Sequence, residues 1–292
     1  MQTLMQTTSV LQTTRLAAST CYNQAILVRS TPEKMPAQKE DQKVAANGHS
    51  SDTIDELARR IRSEFAPVDK QFSWHPMIQI AEEDQHSYLK DPIDSLPPAV
   101  RALLPKMGIV LAPYLEKGTG RKSTAVTETK PTETRLALSA RVETPDFITI
   151  FFTIRGEQVA DYHYFFYDEI ASLISHRWPI KACDLWHALI REELSNEMHG
   201  EVDERSWRLK QALLRRPGNA RRDTKAFREY ARQSFEDTMT LYLHGICCDI
   251  DVDTGPRQLP SRSLRKRLLL LKSLFPPPQG RGVFPEDLKK SV

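Results

Sequence analysis

Residues 135–166, RLALSARVETPDFITIFFTIRGEQVADYHYFF, decide how the chain is read. Leu136, Leu138, Ala140 and Val142 alternate with Arg135, Ser139, Arg141 and Glu143, a period of two that turns one strand face to a core and the other to water. After a Thr144-Pro145-Asp146 turn, Ile148, Ile150, Phe152 and Ile154 repeat the pattern. Beyond Gly156, Ala160, Tyr162, Tyr164 and Phe166 do so again. The reading is a small three-stranded antiparallel sheet. Phe147, Thr149, Phe151 and Thr153 form the opposite face, which suits either base stacking or, more simply, burial under a second layer.

Downstream the period lengthens to about 3.6. Asp168 is read as the cap of a helix carrying Ile170, Leu173 and Ile174 and ending at Trp178-Pro179. A longer helix presents Leu185, Trp186, Leu189, Ile190, Leu194 and Met198, and Gly200 stops it. Helices over 203–215 and 223–243 flank Pro217-Gly218-Asn219 as a helical hairpin, and a last helix covers 261–275. Upstream, Ser51 or Asp52 is expected to cap a helix bearing Ile54, Leu57, Ala58, Ile61 and Phe65, and a strand is expected at 108–111. The fold class is α+β: the small antiparallel sheet packed by helices, a C-terminal helical hairpin and a disordered N-terminal tail. The expected organisation is a tail at 1–50, a helical and irregular segment at 51–115, a flexible loop at 116–133, a body at 134–275 and a Pro-rich tail at 276–292.

A composition of 40% hydrophobic and 27% charged residues is that of a globular protein, and no apolar run approaches the roughly 20 residues of a membrane-spanning helix. Cys21, Cys183, Cys247 and Cys248 lack a C-x-x-C spacing, which favours a reducing, intracellular compartment, the cytoplasm. Residues 1–32 hold Arg15 and Arg29 and no acid, the composition of a transit peptide. Without an amphipathic period, a disordered tail or a true start at Met35 is the preferred reading.

The modest net charge of +3 conceals polarity, since residues 201–292 carry net +7 and residues 1–200 net −4. Within 208–232, nine Lys or Arg residues meet only Asp223 and Glu229. Phe227, Ala231, Phe235, Met239, Tyr242 and Ile246 share one helical face, while Arg221, Lys225, Arg228 and Arg232 form a stripe of their own about 16 Å long. Arg215, Arg216 and Arg222 add charge near the turn. The stripe suits successive phosphates, so the leading expectation is a non-enzymatic, regulatory or nucleic-acid-binding protein; the bland alternative is a solvated helix face. Trp207, the nearest large aromatic ring, is read as core.

A second expectation is divalent-metal-dependent phosphoryl transfer. In an extended segment Asp249, Asp251 and Asp253 turn their carboxylates to one side, although an acidic surface loop explains them more simply. A third is a scaffold that meets a protein partner through the aromatic sheet face or the final helix. On that helix Leu264, Leu268, Leu271 and Phe275 are read as a docking stripe with Arg262, Arg265, Lys266 and Arg267 outside. Residues 118–124, GTGRKST, lack the glycine spacing of a phosphate loop and read as a flexible basic loop. No H-E-x-x-H, G-x-S-x-G or G-x-G-x-x-G pattern occurs, no cofactor is implied, and the adjacent Cys247 and Cys248 read as buried thiols too cramped for one zinc site.

Overall fold

The computed structural model describes residues 52–119, 123–216, 218, 222–248 and 257–288. In chain order the strands are β1 (Ala66–Pro67), β2 (Phe72–Pro76), β3 (Lys106–Ala112), β4 (Tyr114–Glu116), β5 (Ala125–Thr127), β6 (Leu136–Ala137), β7 (Ser139–Thr144) and β8 (Phe147–Thr153). The expected hairpin forms, with β7 antiparallel to β8 and the Thr144 hydroxyl donating to the Phe147 carbonyl at 2.7 Å across the turn. The main sheet, however, has five strands in the order β1-β2-β3-β8-β7, and β2, β3 and β8 run parallel. Central parallel strands are covered on both faces, so they show an apolar run in place of alternation. Met107 through Ala112 is such a run and is buried throughout. A separate three-stranded sheet, β5-β4-β6, draws β5 from the segment read as a flexible loop.

Among the described residues the α-helices are α1 (Ile54–Arg60), α2 (Glu82–Gln85), α3 (Asp91–Asp94), α4 (Pro98–Arg101), α5 (Val159–Ser175), α6 (Ile180–Ser195), α7 (Glu204–Leu214), α8 (Lys225–Cys247), α9 (Ser261–Leu274) and α10 (Pro285–Leu288). The expected third strand is therefore the start of α5. A run of adjacent aromatic rings fits a period of two over a few residues, whereas Tyr162, Phe166, Ile170, Leu173 and Ile174, all buried, hold the helical period over the whole element. Asp168 falls inside this helix, and Gln158 occupies the N-cap. At α1 the cap is Thr53, not Ser51 or Asp52. Its hydroxyl accepts from the Glu56 amide while the Glu56 carboxylate accepts from the Thr53 amide, a reciprocal box.

One face of the main sheet, with Phe72, Ile109, Ile150 and Phe152, joins α5 and the C-terminal helices in the larger core. The other face, with Val110, Ala112 and Phe151, lies under Ile54, Leu57 and Ile61. The aromatic face that offered a stacking platform is thus internal. Beyond α9, Phe284 is buried and Arg281 donates to Ser95, so part of the Pro-rich segment packs on the body. No helix among the described residues is long and apolar enough to cross a membrane.

The C-terminal helices meet at a buried ionic cluster. Arg267, read from the sequence as an outward-facing cation, is fully buried; it donates to both Glu193 oxygens, at 3.1 Å to Oε1 and 2.6 Å to Oε2, and to Glu201 at 2.8 Å. Glu201 also accepts from Lys210 at 3.2 Å and from the Tyr230 hydroxyl. Burial alone would raise the Glu201 carboxyl, but the adjacent Arg267 and Lys210 charges hold it down at about 2. Backbone bonds to the 257–259 segment fix Glu201, from its amide to Arg257 and to its carbonyl from Leu259. Gly200 permits this approach. Its φ is +81°, and a Cβ there would stand 2.1 Å from the Gln258 carbonyl oxygen.

Removing one partner of such a cluster strands a buried charge, so Arg267→Ala should lower unfolding free energy by about 3–5 kcal/mol in urea titrations. Lys266→Ala, which breaks the solvent-exposed pair with Glu192 one residue away, should cost less than about 1 kcal/mol.

Candidate functional site

The hairpin expected from the sequence is present as α7 and α8. Asp203 caps the first helix by accepting from the Arg205 amide, and Thr224 caps the second by accepting from the Phe227 amide. Phe227, Ala231, Phe235, Met239, Tyr242 and Ile246 are all buried, which turns the cationic side of α8 outward. Lys225, Arg228 and Arg232 are exposed along about 10 Å of helix, and Arg215, Arg216 and Arg222 are exposed at the connecting end. Arg221 lies outside the described residues. Acids partly balance the surface: Arg228 contacts Asp223 at 2.9 Å, Arg191 reaches the same carboxylate at 3.6 Å, and Arg232 stands 3.8 Å from Glu236. Trp207 is half-buried with its ring edge-on to His199 at 5.1 Å, so it is not a free stacking surface. Asp249, Asp251 and Asp253, and positions 120–122 of the basic loop, also lie outside the described residues.

The middle of α8 carries a different chemistry. Asp237 is 5% exposed; one oxygen accepts from Gln233 at 2.7 Å and the other has no hydrogen-bond partner among the described residues. Burial, reinforced by the nearby Asp203 and Asp168 charges, raises its carboxyl to about 7. Burial and the neighbouring Glu169 carboxylate raise Asp168 to about 6. These acids come from α5, the cap of α7 and α8, so no local sequence pattern announces them.

At the far end of α8 the described residues hold one group with metal-ligand chemistry, His163 with Cys247 and Cys248. The His163 Nδ1 lies 3.2 Å from the Cys248 sulfur and 3.8 Å from that of Cys247, while Nε2 lies 2.7 Å from the Ser87 carbonyl oxygen. Hydrogen bonding with Cys248 first, and with His163, Tyr167 and Ser95, pulls the Cys247 thiol well below its ordinary value, and Cys248 is correspondingly held up by its neighbour. The sequence reading missed this group because the imidazole is on α5, 85 residues before Cys248. Its only sequence signal is the rarity of adjacent cysteines.

No protein-family model, curated protein or solved structure is significantly similar to the chain.

The raised carboxyls set a pH dependence. The native Asp237 carboxyl, at about 7 against an ordinary 3.8, retains a proton that the unfolded chain has released, so its stabilising contribution is complete below about pH 4 and is lost as pH rises through 7. Urea titrations at pH 5, 6, 7 and 8 should show wild-type stability falling across this range and Asp237→Asn falling much less. Parallel slopes would mean that Asp237 is ionised in the native protein.

Proposed function

We propose that the protein binds nucleic acid through the outer face of the α7–α8 hairpin, with Arg215, Arg216, Arg222, Lys225, Arg228 and Arg232 as phosphate contacts. The observation that carries this reading is the division of α8, whose apolar stripe is buried while its cations remain exposed at helical spacing. A rigid row of guanidinium and ammonium groups neutralises successive phosphates and releases their counterions, which needs neither a groove nor a base-reading side chain. With the aromatic sheet face internal and Trp207 engaged with His199, recognition rests on the backbone, so the affinity is electrostatic and tolerant of sequence. Such a protein acts by occupying nucleic acid, in keeping with a non-enzymatic, regulatory role.

Arg228 and Asp223 do not oppose this. Both are more than half exposed, and an exposed ion pair contributes at most about 1 kcal/mol, so a phosphate can replace or join the carboxylate at little cost.

The test titrates the full chain into labelled duplex DNA, single-stranded DNA and RNA at several salt concentrations, beside a Lys225/Arg228/Arg232→Ala variant. Binding to duplex should weaken steeply with salt, and the variant should lose affinity and about 0.9 of logarithmic salt slope for each phosphate contact removed. Absence of binding at low salt, or an unchanged slope in the variant, overturns the reading.

A further inference from the structure

We infer that His163, Cys247 and Cys248 form a binding site for a single thiophilic d10 cation, Zn²⁺ or Cu⁺. The site stands on different residues from the nucleic-acid face and does not depend on it.

The argument begins with the backbone. Successive side chains diverge by about 100° around a helix and by 180° along a strand, so in a regular element two adjacent thiols rarely converge. Cys247 is the last residue of α8, and Cys248, with φ −130° and ψ 151°, has already become extended. At this junction both sulfurs turn toward His163, and the three ligand atoms lie within 4.8 Å of one another. The cramped geometry expected of neighbouring cysteines belongs to a regular element, which this is not.

Distances and tautomer agree with coordination. With Zn–S of about 2.3 Å and Zn–N of about 2.0–2.1 Å, a tetrahedral site separates nitrogen from sulfur by about 3.5 Å. The two N···S separations, 3.2 and 3.8 Å, bracket that value. With Nε2–H donating to the Ser87 carbonyl, the Nδ1 lone pair points at the sulfurs, the arrangement by which metal-binding histidines are oriented from behind. Ser87 belongs to the π-helical turn His86–Lys90, a winding found disproportionately at functional sites.

Both cysteines are half-buried, so an ion can reach them, while His163 is 5% exposed and held by packing. Two thiolates and a neutral imidazole balance a divalent ion, leave a fourth position open and suit soft metals in preference to Mg²⁺ or Ca²⁺. His244, one turn before Cys248, has a buried Nε2 with no hydrogen-bond partner among the described residues.

The experiment uses the full chain, reduced and stripped with chelator. Zn²⁺ is titrated in competition with a chromophoric chelator, and Cu⁺ anaerobically in competition with a Cu⁺-specific one. One equivalent should bind, with proton release and a rise in melting temperature, and the arm with tighter binding identifies the ion. Co²⁺ should give thiolate-to-metal charge-transfer absorption. Cys247→Ser and Cys248→Ser should each weaken binding by more than about 100-fold and reduce that absorption, which the double variant should abolish. Circular dichroism checks that both variants are folded, and Cys183→Ser, remote from the site, should bind as wild type does. Failure of the folded wild type to take up either ion overturns the inference. So does full-affinity uptake by a folded Cys247→Ser/Cys248→Ser double variant.

Discussion

The buried pair of Glu201 and Arg267 is the constraint on which the C-terminal half depends. Four chain segments converge on it: α6 through Glu193, α7 through Lys210, α8 through Tyr230 and Ser234, and α9 through Arg267. Two cations and two carboxylates make the cluster neutral, and each charge is met at hydrogen-bonding distance, the condition under which buried ions are tolerated. Replacing the set with apolar groups of similar volume need not reduce stability. What the ions add is register, because Arg267 can satisfy Glu193 and Glu201 together only when α9 sits at one depth along α6 and α8. The close Gly200 approach belongs to the same constraint, since it carries Glu201 into the cluster from a loop.

Register matters because α8 serves the rest of the molecule along its whole length. Over 23 residues, about 34 Å, its exposed beginning presents cations, its middle buries Asp237 against Asp168 and Asp203, and its end delivers two thiols to His163. Its apolar stripe runs unbroken beneath all three. A shift of one residue about the helix axis would rotate every group by about 100°, burying Arg228 or Arg232 and exposing Phe227 or Phe235. The cluster therefore acts on the cationic face and on the thiols without touching either.

What the sequence revealed follows from how far each feature reaches along the chain. The β7–β8 hairpin, the apolar stripe from Phe227 to Ile246 and the cations beside it are set by residues a few positions apart, and periodicity finds them. The parallel pairing of β2, β3 and β8 joins segments separated by helices or by a second sheet, so local pattern leaves no trace of it. The aromatic run opening α5 failed for the opposite reason: its window was too short to separate a period of two from one of 3.6. Arg267 misled because it neighbours Arg265 and Lys266, which are exposed, and only the Glu193 and Glu201 carboxylates on other elements explain its burial. The thiol and imidazole group shares this non-local character.

The opposing titrations of the buried acids show where the fold tolerates poor solvation. Glu201 is ionised because two cations face it, and its support is complete above about pH 4.5 and is lost as pH falls toward 2. Asp237 meets the Ser206 hydroxyl, the Gln233 amide and other carboxylates, which do not offset its burial, and its ionisation works against the fold as pH rises through 7. The same helix thus holds one acid matched to its surroundings, through Tyr230 and Ser234, and one that is not. An unmatched acid with an unpartnered oxygen, beside Asp168 raised to about 6, is electrostatic strain that a well-packed core would otherwise have removed. It survives because the Glu201–Arg267 cluster holds α8 in place from one side and α5 packs it from the other. The helix cannot rotate to give Asp237 to solvent without dismantling both.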